Sequence, residues 1–413
     1  MKAFWTAFSL FHASTFWLLL SAGIAAAQSS PALEQKIIEK LLDAGYENVT
    51  AQKVGSATIV TFENVTYRSS VRGLQTAFAR SLLSLSTSNP QLCLVPIRYG
   101  MPMVSLETRE IEVVRSKKHH RRIFLPHLQV GNLERSVPFL DKAAISNPSK
   151  AKSDLIIQPN FHAVLGNYDD PLAMQINLLP ELRIAVFDGG VASFSLIIPL
   201  YNELEAFGNV PRLGPTQITV IRRFPFMTWL YISAGYFYGD QYGVQGLVRH
   251  YFGKGKFALD GRIGYSGYAV MDHGQFIYEP LHALTGSLSL TYFWRPSRLF
   301  LCLGFHRFLK GDQGWRFDTF RYFSDLRIGF WAHSIEGEWN GGVRVAVPLP
   351  PSRYRARNAF RIRPTERFSL AYQGKRETFR GELLQMSEVM EELLIDYFPA
   401  YLQSTVDLSA GKP

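Results

Sequence analysis

Cysteines, long apolar segments and catalytic signatures are all scarce in this 413-residue chain. Only Cys93 and Cys302 occur, far apart, so the sequence predicts neither a disulfide framework nor a thiolate metal site. After the first 27 residues no run of eighteen apolar residues follows, which argues against helical membrane spans. No phosphate-binding loop or metal-ligand cluster is present either. We therefore expect no cofactor, no enzymatic activity and no nucleic-acid partner.

The first 27 residues have the features of a secretory signal peptide. Lys2 lies in a short amino-terminal region, an apolar stretch follows, and Ala25-Ala26-Ala27 forms a small-residue cleavage site before Gln28. A retained amino-terminal anchor is the alternative, but the alanines fit the cleavage pattern better. The sequence thus predicts export from the cytoplasm.

The composition is aromatic and basic. Aromatic residues make up 14% of the chain, with 30 Phe and 19 Tyr, and Lys plus Arg exceed Asp plus Glu by 44 − 34 = 10. Few classes of exported protein without membrane helices combine these features.

Residues 28–150 are predicted to form a small periplasmic α/β domain with a linker. The stretch ALEQKIIEKLLDAGY places Leu33, Ile37 and Leu41 on one helical stripe that ends at Gly45. Strand-like and helix-like segments then alternate up to a linker rich in Asn, Pro, Ser and Lys.

Residues 151–380 have a different pattern, in which segments of about ten residues alternate apolar and polar side chains. In SLSLTYFW, Leu288 and Leu290 oppose Ser287 and Ser289, and VASFSLII and KFALDGRIGYSG follow the same rule. In WLYISAGYF the aromatic residues recur at alternate positions, which we assign to the outer face together with the other apolar residues.

Such strands, apolar outside and polar inside, are typical of a transmembrane β-barrel. A soluble β-sandwich also alternates, so the pattern alone leaves that fold open. The signal peptide and the aromatic content favour an antiparallel outer-membrane barrel of about 12 strands with a polar lumen.

The stretch SRYRARNAFRIRPTER at 352–367 carries arginine only at odd positions. Alternate residues share a face only in an extended strand, so these arginines form one cationic face. Arginine at mid-membrane on the lipid face costs about 2–4 kcal/mol, which predicts that the cations face a lumen while Phe360 and Ile362 face lipid. An exposed edge strand protected by charge, or arginines that pair with lumen carboxylates, are the alternatives.

We expect the lumen residues to contact a passing anionic polysaccharide, because the arginine fork binds carboxylates and phosphates in pairs. The predicted polysaccharide-facing residues are Arg355, Arg357, Arg361, Arg363, Arg262 and Asp260.

Four blocks carry a resemblance to a known family: FENVTYRSSVRGLQTAFAR (62–80), AGYFYGDQYGVQGLVRHYF (234–252), GFHRFLKGDQGWRFDTFRYFSDLRIGFW (304–331) and GGVRVAVPLPP (341–351). In these blocks the chain resembles the YjbH-like outer-membrane proteins that accompany exopolysaccharide and capsule secretion machinery. The resemblance includes a turn containing Gly311, Asp312 and Gly314.

The resemblance implies an outer-membrane barrel with a periplasmic domain, involved in the production or export of polysaccharide. Its implied partners are an anionic polysaccharide, outer-membrane lipid and other secretion proteins. It supplies no catalytic residues. The chain departs from the family because long members carry a second barrel-like half.

Residues 381–413 are predicted to form an acidic helix and a tail, whereas outer-membrane barrels usually end on a strand. We expect the apolar stripe of the helix at 381–402 to pack on the periplasmic end of the barrel or to plug it.

Two other functional classes stay open: an outer-membrane enzyme acting on glycan or lipid, and a soluble secreted glycan-binding sandwich. Asp260, Asp312, Asp318 and His306 are the candidate catalytic groups, although no recognisable motif surrounds them.

Overall fold

The fold is taken from a computed structural model. The structure describes residues 31–84, 91–115, 122–134, 144–165, 172–203, 209–272, 275–354, 359–373 and 380–409. With 60% strand and 13% helix, the chain is mostly β with large sheets rich in antiparallel pairs, which confirms the coarse fold class. None of the helices in these ranges is long and apolar enough to cross a bilayer.

The amino-terminal part contains a six-stranded sheet and two helices. The elements are α1 Pro31–Asp43, β1 Glu47–Val54, β2 Ala57–Glu63, α2 Ser70–Leu82, β3 Gln91–Arg98, β4 Met101–Pro102, β5 Leu106–Arg115 and β6 Arg122–Val130. The strand order is β1-β2-β3-β5-β6, and β4 pairs with β3. Because β2 and β3 run parallel, α2 provides the crossover that such a pair requires.

The helices of this part form where their sequences favour them. In α1, Ile37 and Leu41 lie one turn apart and are fully buried. Gly45, at φ 89°, lies just beyond the end of the helix in the left-handed region that favours glycine. The Ser69 side chain accepts a hydrogen bond from the backbone N–H of Arg72 and caps the start of α2.

The second sheet contains sixteen strands. Its strands are β7 Ser153–Leu165, β8 Leu172–Phe187, β9 Gly190–Asn202, β10 Arg212–Leu213, β11 Thr216–Phe224, β12 Thr228–Phe237, β13 Gln241–Phe252, β14 Phe257–Asp272, β15 Gln275–Tyr278, β16 Ala283–Trp294, β17 Leu299–Arg307, β18 Gln313–Phe323, β19 Leu326–Ile335, β20 Glu338–Pro348, β21 Phe360–Pro364 and β22 Arg367–Gln373. Nearly all neighbours are antiparallel hairpin partners in chain order, with β10 and β15 as side strands on β9 and β14.

The sheet has four strands more than the expected twelve, and four of its strands, β10, β15, β21 and β22, are short, at 2, 4, 5 and 7 residues. The long strands are joined by short connections. Asp188 and Gly189 alone separate β8 from β9, and Ser324 and Asp325 alone separate β18 from β19.

Apolar and polar residues alternate between the two faces of this sheet as the sequence predicts. On β16 the side chains of Leu288 and Leu290 are 60% and 43% exposed, while Ser289 is 3% exposed. The assignment of the aromatic residues of WLYISAGYF to the outer face is wrong for Trp229 and Tyr231. These two side chains lie on the inner face and are buried, at 3% and 1% exposure. A period of two identifies the residues that share a face, but it does not say which face is covered.

The ends of the strand order are two short strands that follow each other in the chain. β21 pairs with β7 in parallel, and β22 pairs with β20 antiparallel. Only Thr365 and Glu366 separate them, and the Thr365 N–H donates to the carbonyl of Ile157 on β7 at 3.0 Å. No pairing within the described ranges joins β21 directly to β22.

The predicted single helix at 381–402 is wrong in its bounds. Residues 380–387 are not helical, and two helices follow, α3 Glu388–Asp396 and α4 Pro399–Ser409. Ser387 caps α3 by accepting a hydrogen bond from the Met390 N–H. Pro399 lacks an N–H, which is tolerated in the first turn of a helix but not in its interior, so the chain restarts as α4.

The carboxy-terminal segment 380–409 runs along the inner face of the large sheet. It contacts the β17–β18 turn through Gly381, the middle of β13 through Gln385, and the β13–β14 turn through Ala400. The two turns lie at opposite ends of the sheet because each strand reverses direction. The segment therefore spans the sheet from end to end.

The amino-terminal part lies at the end of the sheet where α4 finishes. Arg68 pairs with Asp325 of the β18–β19 turn at 2.7 Å, and the Gly189 N–H donates to the Tyr99 carbonyl at 2.7 Å. One cluster of buried apolar side chains extends from Leu41 and Leu74 through Phe293 to Phe398. The separable domain at 28–150 stays a prediction, and its core is continuous with that of the rest of the chain.

Candidate functional site

Arginines concentrate on the inner face of the large sheet, and the structure shows the contacts that several of them make. Of the predicted polysaccharide-facing residues, Arg355 and Arg357 lie outside the described residues. Arg361 and Arg363 are on β21, at 8% and 7% exposure, while Phe360 and Ile362 between them are 49% and 69% exposed. The alternation thus places the two arginines on the covered face.

Both β21 arginines are engaged by carboxylates. Arg361 contacts Asp154 of β7 at 2.5 Å and Glu47 of β1 at 2.7 Å. Arg363 lies 3.4 Å from Asp154, and Lys152 pairs with Glu47 at 3.0 Å. This network joins the first strand of the chain to the β21–β7 pairing. The role of these arginines towards a polysaccharide stays a prediction.

Asp260 lies on the same face at 1% exposure, but both of its carboxylate oxygens accept hydrogen bonds from Arg249 of β13. The Arg249 guanidinium donates from Nε and Nη2 to the two Asp260 oxygens at 2.6 Å each, and from Nη1 to the Leu394 carbonyl of α3 at 2.7 Å. Arg249 is not among the residues predicted from the sequence. The hairpin register pairs Arg249 with Asp260, so counting back from the β13–β14 turn identifies it.

Arg262, also on β14, is half-buried. Its Nε is buried and has no hydrogen-bond partner among the described residues. Among the predicted lumen residues in the described ranges, Arg262 alone has a buried side-chain nitrogen that lacks a hydrogen-bond partner.

The turn that contains Gly311, Asp312 and Gly314 anchors the carboxy-terminal segment. Asp312 Oδ2 accepts a hydrogen bond from the Gly381 N–H at 2.6 Å. Gly311 has φ 83°, and a Cβ at Gly314 would lie 2.2 Å from the Ser334 carbonyl, so both positions favour glycine. Asp312 therefore holds the carboxy-terminal segment, a role that the hairpin turn itself does not require.

The carboxylates of α3 meet a set of arginines that the sequence analysis did not select. Glu391 pairs with Arg327 of β19 at 3.0 Å and with Arg344 of β20 at 3.8 Å. Glu392 pairs with Arg183 of β8 at 3.4 Å.

Two further arginines complete this set. Arg98 of β3 lies 3.8 Å from Glu392, and Arg367 of β22 lies 3.5 Å from Asp396. Arg98 belongs to the amino-terminal part, whereas the other four arginines belong to the large sheet. The alternation of side chains along their strands predicts that Arg183, Arg327 and Arg344 face inward.

The three aspartates among the candidate catalytic groups have separate partners. Asp318 accepts two hydrogen bonds from Arg316 at 2.8 Å, Asp260 is held by Arg249, and Asp312 accepts from Gly381. Within the described ranges no group of three or more His, Cys, Asp or Glu side chains is arranged to hold a metal ion. Neither Cys93 nor Cys302 is part of a disulfide.

No family model matches the chain, and no curated protein or solved structure matches it. The resemblance to YjbH-like proteins stays a prediction.

Proposed function

We propose that this protein is an outer-membrane β-barrel that takes part in the production or export of an acidic exopolysaccharide or capsule. The observation that carries the proposal is the two-faced sheet of β7 to β22. Its outer face exposes leucine, isoleucine and aromatic side chains on strand after strand, while its inner face holds serines, glutamines and arginines. A sheet with this distribution suits lipid outside and a polar interior.

The proposal requires the sheet to be closed, since an open sheet edge cannot lie in lipid. We assign the closure to β21 and β22, acting as one interrupted strand between β7 and β20. Two observations support it: Thr365 continues the bonding to Ile157 of β7, and the Glu366 carbonyl accepts from the Leu349 N–H just beyond β20 at 3.1 Å. The two halves of this strand thus bond to the first and the last long strands.

The amino-terminal part would face the periplasm. Outer-membrane barrels have short periplasmic turns and longer external loops. The two-residue turns at 188–189 and 324–325 lie at the end that contacts the amino-terminal part, while the connections containing β10 and β15 lie at the opposite end. This orientation agrees with export directed by a signal peptide.

The cationic inner face supports an acidic polymer as the partner, because arginine binds carboxylates bidentately and repeated sites allow a chain to exchange contacts. The carboxy-terminal segment lies along the same face. Transport of a polymer through the interior therefore requires this segment to move, and the described conformation is the closed one.

A pair of leucine variants tests the membrane part. Leu288 is 60% exposed in the middle of β16, and Leu83 is 78% exposed beside α2. In a bilayer Leu288→Arg is expected to cost about 2–4 kcal/mol, while Leu83→Arg, in water, stays within about 0.5 kcal/mol. Urea unfolding of protein folded into lipid vesicles measures both. Equal, small effects, together with extraction from cells without detergent, would favour the soluble sandwich.

A deletion strain of an organism that secretes an acidic polysaccharide tests the polymer part. Loss of extracellular polymer, with recovery on expression of the wild-type chain or of the Leu83→Arg variant, is the expected result. Unchanged extracellular polymer in the deletion strain contradicts this part of the proposal.

A further inference from the structure

Three carboxylates of the carboxy-terminal helix α3 occupy five arginines. Glu391, Glu392 and Asp396 are the carboxylates. The arginines are Arg98, Arg183, Arg327, Arg344 and Arg367, here called the arginine set. Four of them come from four strands of the large sheet and one from β3, so the helix neutralises cations that lie far apart in sequence.

The helix supplies much of the negative charge at this place. Among the described residues, Glu181 lies 2.9 Å from Arg183 and Glu366 lies 3.9 Å from Arg367, and the charge of the buried Glu63 interacts with that of Arg98. Without α3, the described contacts would leave these five guanidinium groups with fewer carboxylates than cations. Buried cations without partners are strongly destabilising, so α3 can leave only if another anion takes its place.

We infer that the arginine set is a binding site for the carboxylates of an acidic polysaccharide, and that α3 fills it with its own carboxylates in the closed conformation. This inference rests on the proposed function and names the part of the interior that binds the polymer. Arginine suits such an exchange, because its planar fork accepts a side-chain carboxylate and a sugar carboxylate in the same geometry.

The exchange has a defined starting point. The Arg344 and Glu391 side chains are 46% and 38% exposed, whereas the Arg183 and Asp396 side chains are 2% and 7% exposed. An incoming carboxylate therefore reaches Arg344 first. The contacts to Arg183 and Arg367 open only after α3 has begun to move.

The ligand must be a polymer rather than a single sugar acid. The apolar side of α3 and the residues that follow it are buried, with Met390, Leu393, Leu394 and Phe398 all at 2% exposure or less. One carboxylate cannot compensate for exposing these side chains. A chain with a carboxylate on successive sugars gains each further contact intramolecularly, which raises its effective concentration at the site.

The test uses the full chain in detergent with polygalacturonate as the acidic polymer. Galacturonate monomer at equal carboxylate concentration and uncharged dextran are the controls. Binding is measured directly, and limited proteolysis with mass spectrometry reports release of residues 380–409. We expect polygalacturonate, and neither of the two controls, to bind and to make this segment cleavable.

Two kinds of variant fix the location. Glu391→Gln with Glu392→Gln weakens the hold of α3, so the half-saturating polymer concentration should fall about tenfold. Glu382→Gln is the matched control, because Glu382 is exposed and pairs with exposed Lys310. Arg344→Gln should raise the half-saturating concentration about tenfold. Because the Arg344 side chain is half-exposed, we expect Arg344→Gln to fold. This variant therefore tests the inference even if the double variant fails to fold.

The outcomes separate this inference from the function on which it rests. The inference is overturned if the polymer binds without releasing residues 380–409, or if Arg344→Gln leaves the half-saturating polymer concentration unchanged. Either result leaves the proposed function standing. If neither the wild-type chain nor the double variant binds polygalacturonate, both the inference and the proposed acidic substrate fall.

Discussion

Replacement of Asp260 by asparagine separates a structural role of this carboxylate from a polymer-binding one. Asp260 is 1% exposed and Arg249 5% exposed, and two hydrogen bonds of 2.6 Å join them. Removing one partner of such a buried pair leaves an uncompensated charge and costs about 3–5 kcal/mol. We therefore expect Asp260→Asn to lower the free energy of unfolding by about that amount.

Urea unfolding in lipid vesicles measures this loss, and Glu382→Gln is the control. The Glu382 and Lys310 side chains are 51% and 52% exposed at 3.7 Å, so that change is expected to cost about 0–1 kcal/mol. Combining Arg249→Met with Asp260→Leu should cost less than either single change, because no charge is then left unpaired. If Asp260→Asn unfolds like the wild type while polymer binding falls, then Asp260 serves the polymer and not Arg249.

Three further changes have expected outcomes. Gly243→Ala should lower the yield of folded protein, because its Cβ would lie 2.2 Å from the Tyr265 carbonyl at φ 148°, whereas Gly261→Ala, with nothing within 4 Å, should assemble normally in the same heat-modifiability assay. Removing residues 374–413 uncovers the apolar part of the inner face, so less protein should fold and the folded fraction should conduct ions in planar bilayers; a folded truncation that does not conduct contradicts the plug. Residues 28–150 expressed alone should be soluble with a helical circular dichroism spectrum, and an unfolded product argues against a boundary near the start of β7.

Periodicity carried most of the prediction of the fold. Because successive side chains of a strand point to opposite faces, the sequence alone separates Leu288 from Ser289 and Ile362 from Arg361, and the structure agrees at both places. It failed for Trp229, because an inner face becomes apolar where other parts of the chain cover it. Trp229 belongs to a buried cluster that contains side chains of the amino-terminal part, such as Leu128, and of the residues after 380, such as Phe398. No local pattern records contacts between segments so far apart in the chain.

The partners of the charged residues were the less predictable part of the site. Register alone pairs Arg249 with Asp260, since both lie on one hairpin. The contact of Arg361 with Glu47 joins residues more than 300 positions apart and depends on how the amino-terminal part docks. Alternation showed that arginines face inward, but it could not show that carboxylates already occupy them.

The location of each carboxylate decides what its arginine can do. Asp154 and Asp260 lie on strands of the sheet, so the arginines they hold, Arg361 and Arg249, cannot exchange partners unless the sheet itself opens. Glu391 lies on a helix that belongs to no strand of the sheet, so Arg327 can lose it while every strand pairing stays intact. Pairs within the sheet therefore fix the fold, and pairs with α3 are the ones that a mobile anion can replace. If an acidic polymer binds inside this protein, its carboxylates should compete first at the arginines that α3 occupies.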